Sequence, residues 1–143
     1  MTDWIVNFTK AGAHNPARMQ REARALLNAG LWGIPATAPS KDKPMPGDRL
    51  LLFVGAPELA FVGDATIASS FHEWTPDELE VYPGTFDAGL ALSDPHIYTT
   101  TVRLARIWSR TEASEKNPKG VFRSSLWSVP SADFELIAAT GRR

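Results

Sequence analysis

The tightest constraint on this chain is one short run, Leu50-Leu51-Leu52-Phe53-Val54, bounded by Gly47 and Gly55. A run this short and this apolar, with glycine on both sides, predicts a fully buried strand rather than a helix. Pro46-Gly47-Asp48 sets the turn before it, because proline presets φ and glycine permits positive φ. Ala56-Pro57-Glu58-Leu59 turns the chain again, and a second strand returns through Phe61, Ala65 and Ile67. Gly63 inside that strand predicts a bulge or a close backbone approach. A hairpin buried in this way must be covered on its faces by the rest of the chain.

The remaining elements are short. Trp4-Ile5-Val6-Asn7-Phe8 reads as a strand with Trp4, Val6 and Phe8 on one face. Ala17 to Ala29 reads as a helix, with Asn15 as its cap, a core stripe at Met19, Ala23, Leu26 and Leu27, and Gly30 as its stop. Residues 36–46 form a proline-rich polar loop. Residues 72–95 carry acids at 73, 77, 78, 80, 87 and 94 and no lysine or arginine. They read as a surface excursion, too short for a core of its own, with Thr75-Pro76-Asp77-Glu78 opening a short helix. Strand character resumes from His96 to Trp108, and residues 109–120 are a polar loop. Phe122 to Val129 is a last strand or a turn. Ser131 caps a short helix, Ala132 to Ala139, and the final arginines are expected to fray. The fold expected is α+β: one domain over residues 1–143, a small, mostly antiparallel β-barrel flanked by two or three helices.

Composition narrows the function. The net charge of −1 gives no whole-chain field toward nucleic acid or an anionic membrane, so polyanion binding needs a local patch. Cysteine is absent, which excludes disulfides, thiolate metal sites and cysteine nucleophiles and fits a cytoplasmic location. No apolar run approaches the length of a membrane span, and no signal pattern opens the chain. His14, His72 and His96 stand apart in sequence, so no metal is expected, and no cofactor motif is present. There is no Gly-x-Ser-x-Gly elbow and no phosphate-cradling glycine loop. Paired carboxylates occur only in the acidic stretch, where no apolar wall is expected to shift their titration.

Basic and aromatic residues offer more. Arg18, Arg21 and Arg24 on the helix, with Arg106 from a later element, are candidate phosphate contacts; the plainer reading is a solvated helix face. Trp32, Phe53, Trp74, Tyr98 and Trp108 are candidates for stacking on a base, against the alternative that each is core. Trp32 stands beside Gly33 directly after the helix. Its ring is either core or the lining of a cavity that Gly33 opens.

The ordered set Trp4-Ile5-Val6, helix, Leu31-Trp32-Gly33-Ile34, Pro46-Gly47-Asp48-Arg49-Leu50-Leu51-Leu52-Phe53 and Phe61-Val62-Gly63-Asp64-Ala65-Thr66-Ile67 resembles the EVE domain family of the PUA-like superfamily. The resemblance covers residues 3–71 closely and 96–139 by general shape. It implies a pseudobarrel related to YTH and ASCH domains, and a pocket that binds a modified base in DNA or RNA. Trp32 matches the family's tryptophan and is the implied base-stacking wall, with Gly33 and Ile34 as its rim and Phe122, Arg123 and Ser124 closing the pocket. The chain lacks the Arg-Asn-x-x-Ala-Arg helix that follows the tryptophan in the larger branch, so that branch's polar base contacts do not carry over.

The function expected is a non-catalytic module that recognises a modified base in DNA or RNA, with no membrane partner. Two rivals remain. One is an ASCH-like amidohydrolase, for which Thr37 and Lys41 are the available residues. The other is a protein-interaction module that self-associates through the acidic stretch.

Overall fold

The computed structural model describes residues 1–8, 16–56, 58–122 and 126–143. The strands are β1 (Asp3–Phe8), β2 (Leu31–Gly33), β3 (Arg49–Val54), β4 (Ala60–Ile67), β5 (His72–Glu73), β6 (Ala88–Arg103) and β7 (Leu126–Val129). The helices are α1 (Pro16–Ala29), α2 (Pro76–Val81), α3 (Leu104–Ile107) and α4 (Ser131–Gly141), with 3₁₀ turns at Trp108–Arg110 and Ala113–Glu115. The sheet runs β2-β6-β4-β3-β1-β7, with β5 also on β6. β1 and β3 pair in parallel, and the other ladders are antiparallel.

The expected closed barrel is corrected to an open sheet. The two strands at the ends of the order are short, Leu31–Gly33 and Leu126–Val129, and no ladder among the described residues joins them. Pro35 and Pro130 follow them closely, and proline cannot extend a ladder. The expected two or three helices become four α-helices among the described residues.

The sheet is buried on both faces. Leu50, Leu52 and Val54 join one core with Trp4, Val6, Val62 and Leu90. Leu51 and Phe53 join the other with Ile5, Phe61, Tyr98 and Val102. This follows from the two-residue period of a strand: an uninterrupted apolar run feeds both faces, and each buried side chain contributes about 1.5–3 kcal/mol. α1 covers the first face through Met19, Ala23, Leu26 and Leu27. α3 and α4 cover the second through Leu104, Ile107, Phe134 and Ile137. Gly63 behaves as expected: the β4–β6 register shifts beside it, and a Cβ there would lie 2.6 Å from the His96 carbonyl oxygen.

Asp48 fixes the turn into β3. Its carboxylate accepts from the Thr2 and Met45 backbone N–H groups, both at 2.9 Å, and from the Trp4 indole at 3.1 Å. Burial pushes its titration up, but these three donors outweigh it and hold the carboxyl below its ordinary value. A lowered carboxyl adds stability above its unfolded value, near pH 4, and that stability is lost as pH falls through the folded value. Asp48→Ala should cost about 1–3 kcal/mol at neutral pH and flatten the acid limb of the stability curve. Urea titrations at several pH values measure both.

Candidate functional site

Two pieces of chain far apart in sequence build one cleft on the first face. The cleft is about 300 Å³ and is lined by Phe8, Glu22, Leu26, Trp32, Tyr82 and Phe86 among others. β1 brings Phe8, α1 brings Glu22 and Leu26, and β2 brings Trp32 and Gly33. The opposite wall is a strap, residues 82–86, between α2 and β6.

Trp32 is held firmly. Its backbone pairs with Leu90, and Gly89 lets β6 approach: a Cβ at Gly89 would overlap the Trp32 carbonyl. The indole meets Phe8 edge-on at 5.8 Å. Trp32 is only 4% exposed, so its ring serves the core and the cleft together. The sequence alternatives for this residue are thus both met in one side chain. Gly33 also lines the cleft, and its missing side chain is what seats Tyr82: a Cβ there would overlap the Tyr82 hydroxyl.

The strap is anchored from behind by Trp74. Its indole N–H donates to the Phe86 carbonyl at 2.9 Å, and its ring lies 4.9 Å from that of Tyr82. The Tyr82 hydroxyl shares a hydrogen bond with the Phe86 backbone, while burial pushes its titration up, so it stays a neutral phenol. Phe86 is 44% exposed and stands at the mouth. The acidic stretch therefore does supply an apolar wall, contrary to the sequence expectation. Glu22, Tyr82 and Phe86 line the cleft without being expected there from the sequence. Two aromatics around Pro83-Gly84 are a faint signal, masked by the acidic residues on either side.

The other expected site residues scatter. Ile34 is buried in the first core and does not line the cleft. Phe122 packs in the second core against Phe53, Trp108 and Trp127, on the other face of the sheet. Arg123 and Ser124 lie outside the described residues, as do His14 and the Asn15 cap. Phe53 and Trp108 are core residues of the second face, and Tyr98 is buried with its hydroxyl on Asp64.

The basic candidates do not form one face. Arg18 bonds Glu22 at 3.2 Å one turn along α1, and Arg21 is exposed on the same helix. Arg24 turns the other way and donates to the Tyr98 carbonyl at 3.3 Å, while its Nε is buried without a partner among the described residues. Arg106 is exposed on α3, which covers the second face. Among the described residues that line the cleft, Glu22 carries the only charged side chain. Thr37 is exposed and Lys41 lies over the Phe71 ring, and neither lines it. Among the described residues no cluster of histidine and carboxylate side chains could hold a metal ion. No helix among them is long and apolar enough to cross a membrane.

Solved structures share this architecture. The YTH domain of Zygosaccharomyces rouxii MRB1, in complex with N6-methyladenosine RNA, superposes with a TM-score of 0.61 at 13% identity, covering 99% of this chain and 85% of that one. Human THYN1, in complex with DNA containing 5-methylcytosine, gives 0.60 at 10% identity over 100% and 99%. An ASCH protein from Zymomonas mobilis gives 0.56 at 10% identity over 96% and 94%. No protein-family model matches the sequence, and no curated protein matches it. At these identities the likeness is one of fold.

Proposed function

We propose that this chain is a non-catalytic, EVE-like module that binds DNA or RNA and takes one modified base into the cleft beside Trp32. The observation that carries the reading is the cleft itself, a cavity of about 300 Å³ between a fixed tryptophan and two aromatic residues of the strap. Flat aromatic walls suit a base extruded from its stack, and each stacked base gains about 1–3 kcal/mol. Glu22 accepts hydrogen bonds only, so it favours a base edge that presents an amino group. Arg18 and Arg21 on α1 lie on the same side of the sheet and hold the flanking phosphates. Arg24 and Arg106 play no part in this rim. The YTH and THYN1 structures support the choice of nucleic acid as partner, because their ligands carry a methylated base.

Direct binding tests this. Oligonucleotides with methylated, hydroxymethylated and unmodified cytosine or adenine are titrated at low and high salt. Tighter binding of one modified oligonucleotide, weakening with salt, is expected; Arg21→Gln should reduce the salt slope by about one. Binding that is absent, or insensitive to salt, or equal for all oligonucleotides overturns the reading.

A further inference from the structure

The strap rests on few contacts. No residue of α2 is buried, and 83–87 is exposed. Its support passes backward through a row of rings: Tyr82 against Trp74 at 4.9 Å, and Trp74 against His72 at 5.6 Å. His72 in turn ties β5 to α2. Its Nε2 lies 2.8 and 3.0 Å from the two carboxylate oxygens of Glu78, and its Nδ1 lies 2.9 Å from the Ser70 carbonyl oxygen.

Both ring nitrogens therefore face acceptors. A neutral imidazole carries one N–H, so one of the two contacts would set lone pair against lone pair. Only the imidazolium satisfies both. The Ser69 hydroxyl, 3.3 Å from Nδ1, also donates to the Ser70 carbonyl at 3.0 Å, and it has one proton for two tasks. Glu78 is bound from two sides, because it also accepts from the Thr75 N–H at 2.9 Å in the capping box of α2.

We propose that the His72 imidazolium is a latch: it holds the strap in place as the cleft wall, and its deprotonation loosens the strap and weakens ligand held there. The latch stands on the free protein's geometry; its effect on ligand rests on the base-binding reading above. The charged groups around the ring agree in sign. Glu78 faces it from α2, Glu73 follows it on β5, and Asp77 and Asp87 are exposed acids of the same stretch. The β6 partners Gly89 and Ala88 bring no charge. Lys41 lies over the ring of Phe71, the residue before His72, but is itself paired with Asp42 at 3.6 Å. The Ser70 carbonyl raises the titration of His72 above its ordinary value, burial opposes that, and Glu78 adds to it. A raised histidine gives its full contribution below about pH 6.5 and loses it as pH rises through the folded value.

Hydrogen exchange of the strap amides tests the latch without any ligand. Protection, corrected for the intrinsic exchange rate, is followed from about pH 5.5 to about pH 8.5, the range in which histidine titrates. Wild type should lose about threefold or more in protection as pH rises, a size suited to a partly exposed ion pair. His72→Gln and Glu78→Gln should show low, flat protection. His96→Gln, whose imidazole lies 3.5 Å from Asp94, should keep the wild-type slope. A flat wild-type profile, or an unchanged slope in His72→Gln, overturns the latch. Affinity for the tightest-binding modified oligonucleotide should follow the same curve. Exchange that follows pH with no oligonucleotide bound leaves the latch standing and removes the base-binding reading. Binding with a flat exchange profile does the reverse.

Discussion

Asp64→Ala is expected to cost about 1–3 kcal/mol, the usual result of stranding a buried hydrogen-bonding partner. Asp64 is 1% exposed in the middle of β4. It accepts from the Tyr98 hydroxyl at 2.6 Å and from Arg142 at 3.1 Å through Nε and 2.5 Å through Nη2. Burial, and after it the Asp64 carboxylate, pushes the Tyr98 titration far up, so the phenol remains a donor. Without Asp64 that hydroxyl is stranded in the second core. Arg142 is less affected, because its side chain is 43% exposed and can turn to water. Tyr98→Phe alone should cost about 1–2 kcal/mol, and the two changes together less than their sum. Urea denaturation of the double-mutant cycle reads this directly. A loss below about 1 kcal/mol for Asp64→Ala would mean that water replaces its partners freely.

Trp32→Ala should have two separate effects. Truncating a residue that is 4% exposed removes about 3–5 kcal/mol of stability. Removing the stacking wall should also weaken binding of a modified base by about 10–100-fold, the range that stacking energies imply. Phe86→Ala separates the two. Its ring stands at the cleft mouth, while the contact that anchors the strap uses its backbone carbonyl. Stability should change by about 0.5 kcal/mol or less, as for other surface substitutions, while binding falls. If Phe86→Ala binds like wild type and the deficit of Trp32→Ala vanishes once unfolded protein is subtracted, Trp32 is scaffold alone.

Much of the scaffold is legible in the sequence because it rests on local periodicity. The unbroken run Leu50 to Val54 could only be buried on both sides. Trp4, Val6 and Phe8 alternate onto one face, and Thr75 caps α2 as expected, with Glu78 completing a capping box. Positions that depend on distant chain were harder to read. β6 begins at Ala88, inside the stretch taken for a surface excursion, because its register is set by β2, β4 and β5 rather than by its own pattern. The strand expected to reach Trp108 gives way to helix at Leu104. Ser131 is the first residue of α4 rather than its cap, and Arg142 is clamped to Asp64 instead of fraying. Of the candidate site, Trp32 and Gly33 were legible as an aromatic beside a glycine. Tyr82 and Phe86 were not, because their acidic neighbours signal solvent and only the tertiary fold turns them toward Trp32.

The place of β1 has a consequence for how the chain is made. β1 lies between β3 and β7, whose residues begin at 49 and 126. During synthesis from the N-terminus, the strand that emerges early waits for one of its neighbours until almost everything between has emerged. Until then Trp4, Ile5 and Val6 sit beside an open edge, the kind of surface that pairs with other chains. Folding should be slow for this size, since ladders this distant in sequence form late. Crowded expression should therefore endanger the nascent chain more than the finished one, and a chaperone that shields the β1 edge should raise soluble yield without changing the stability of the folded protein.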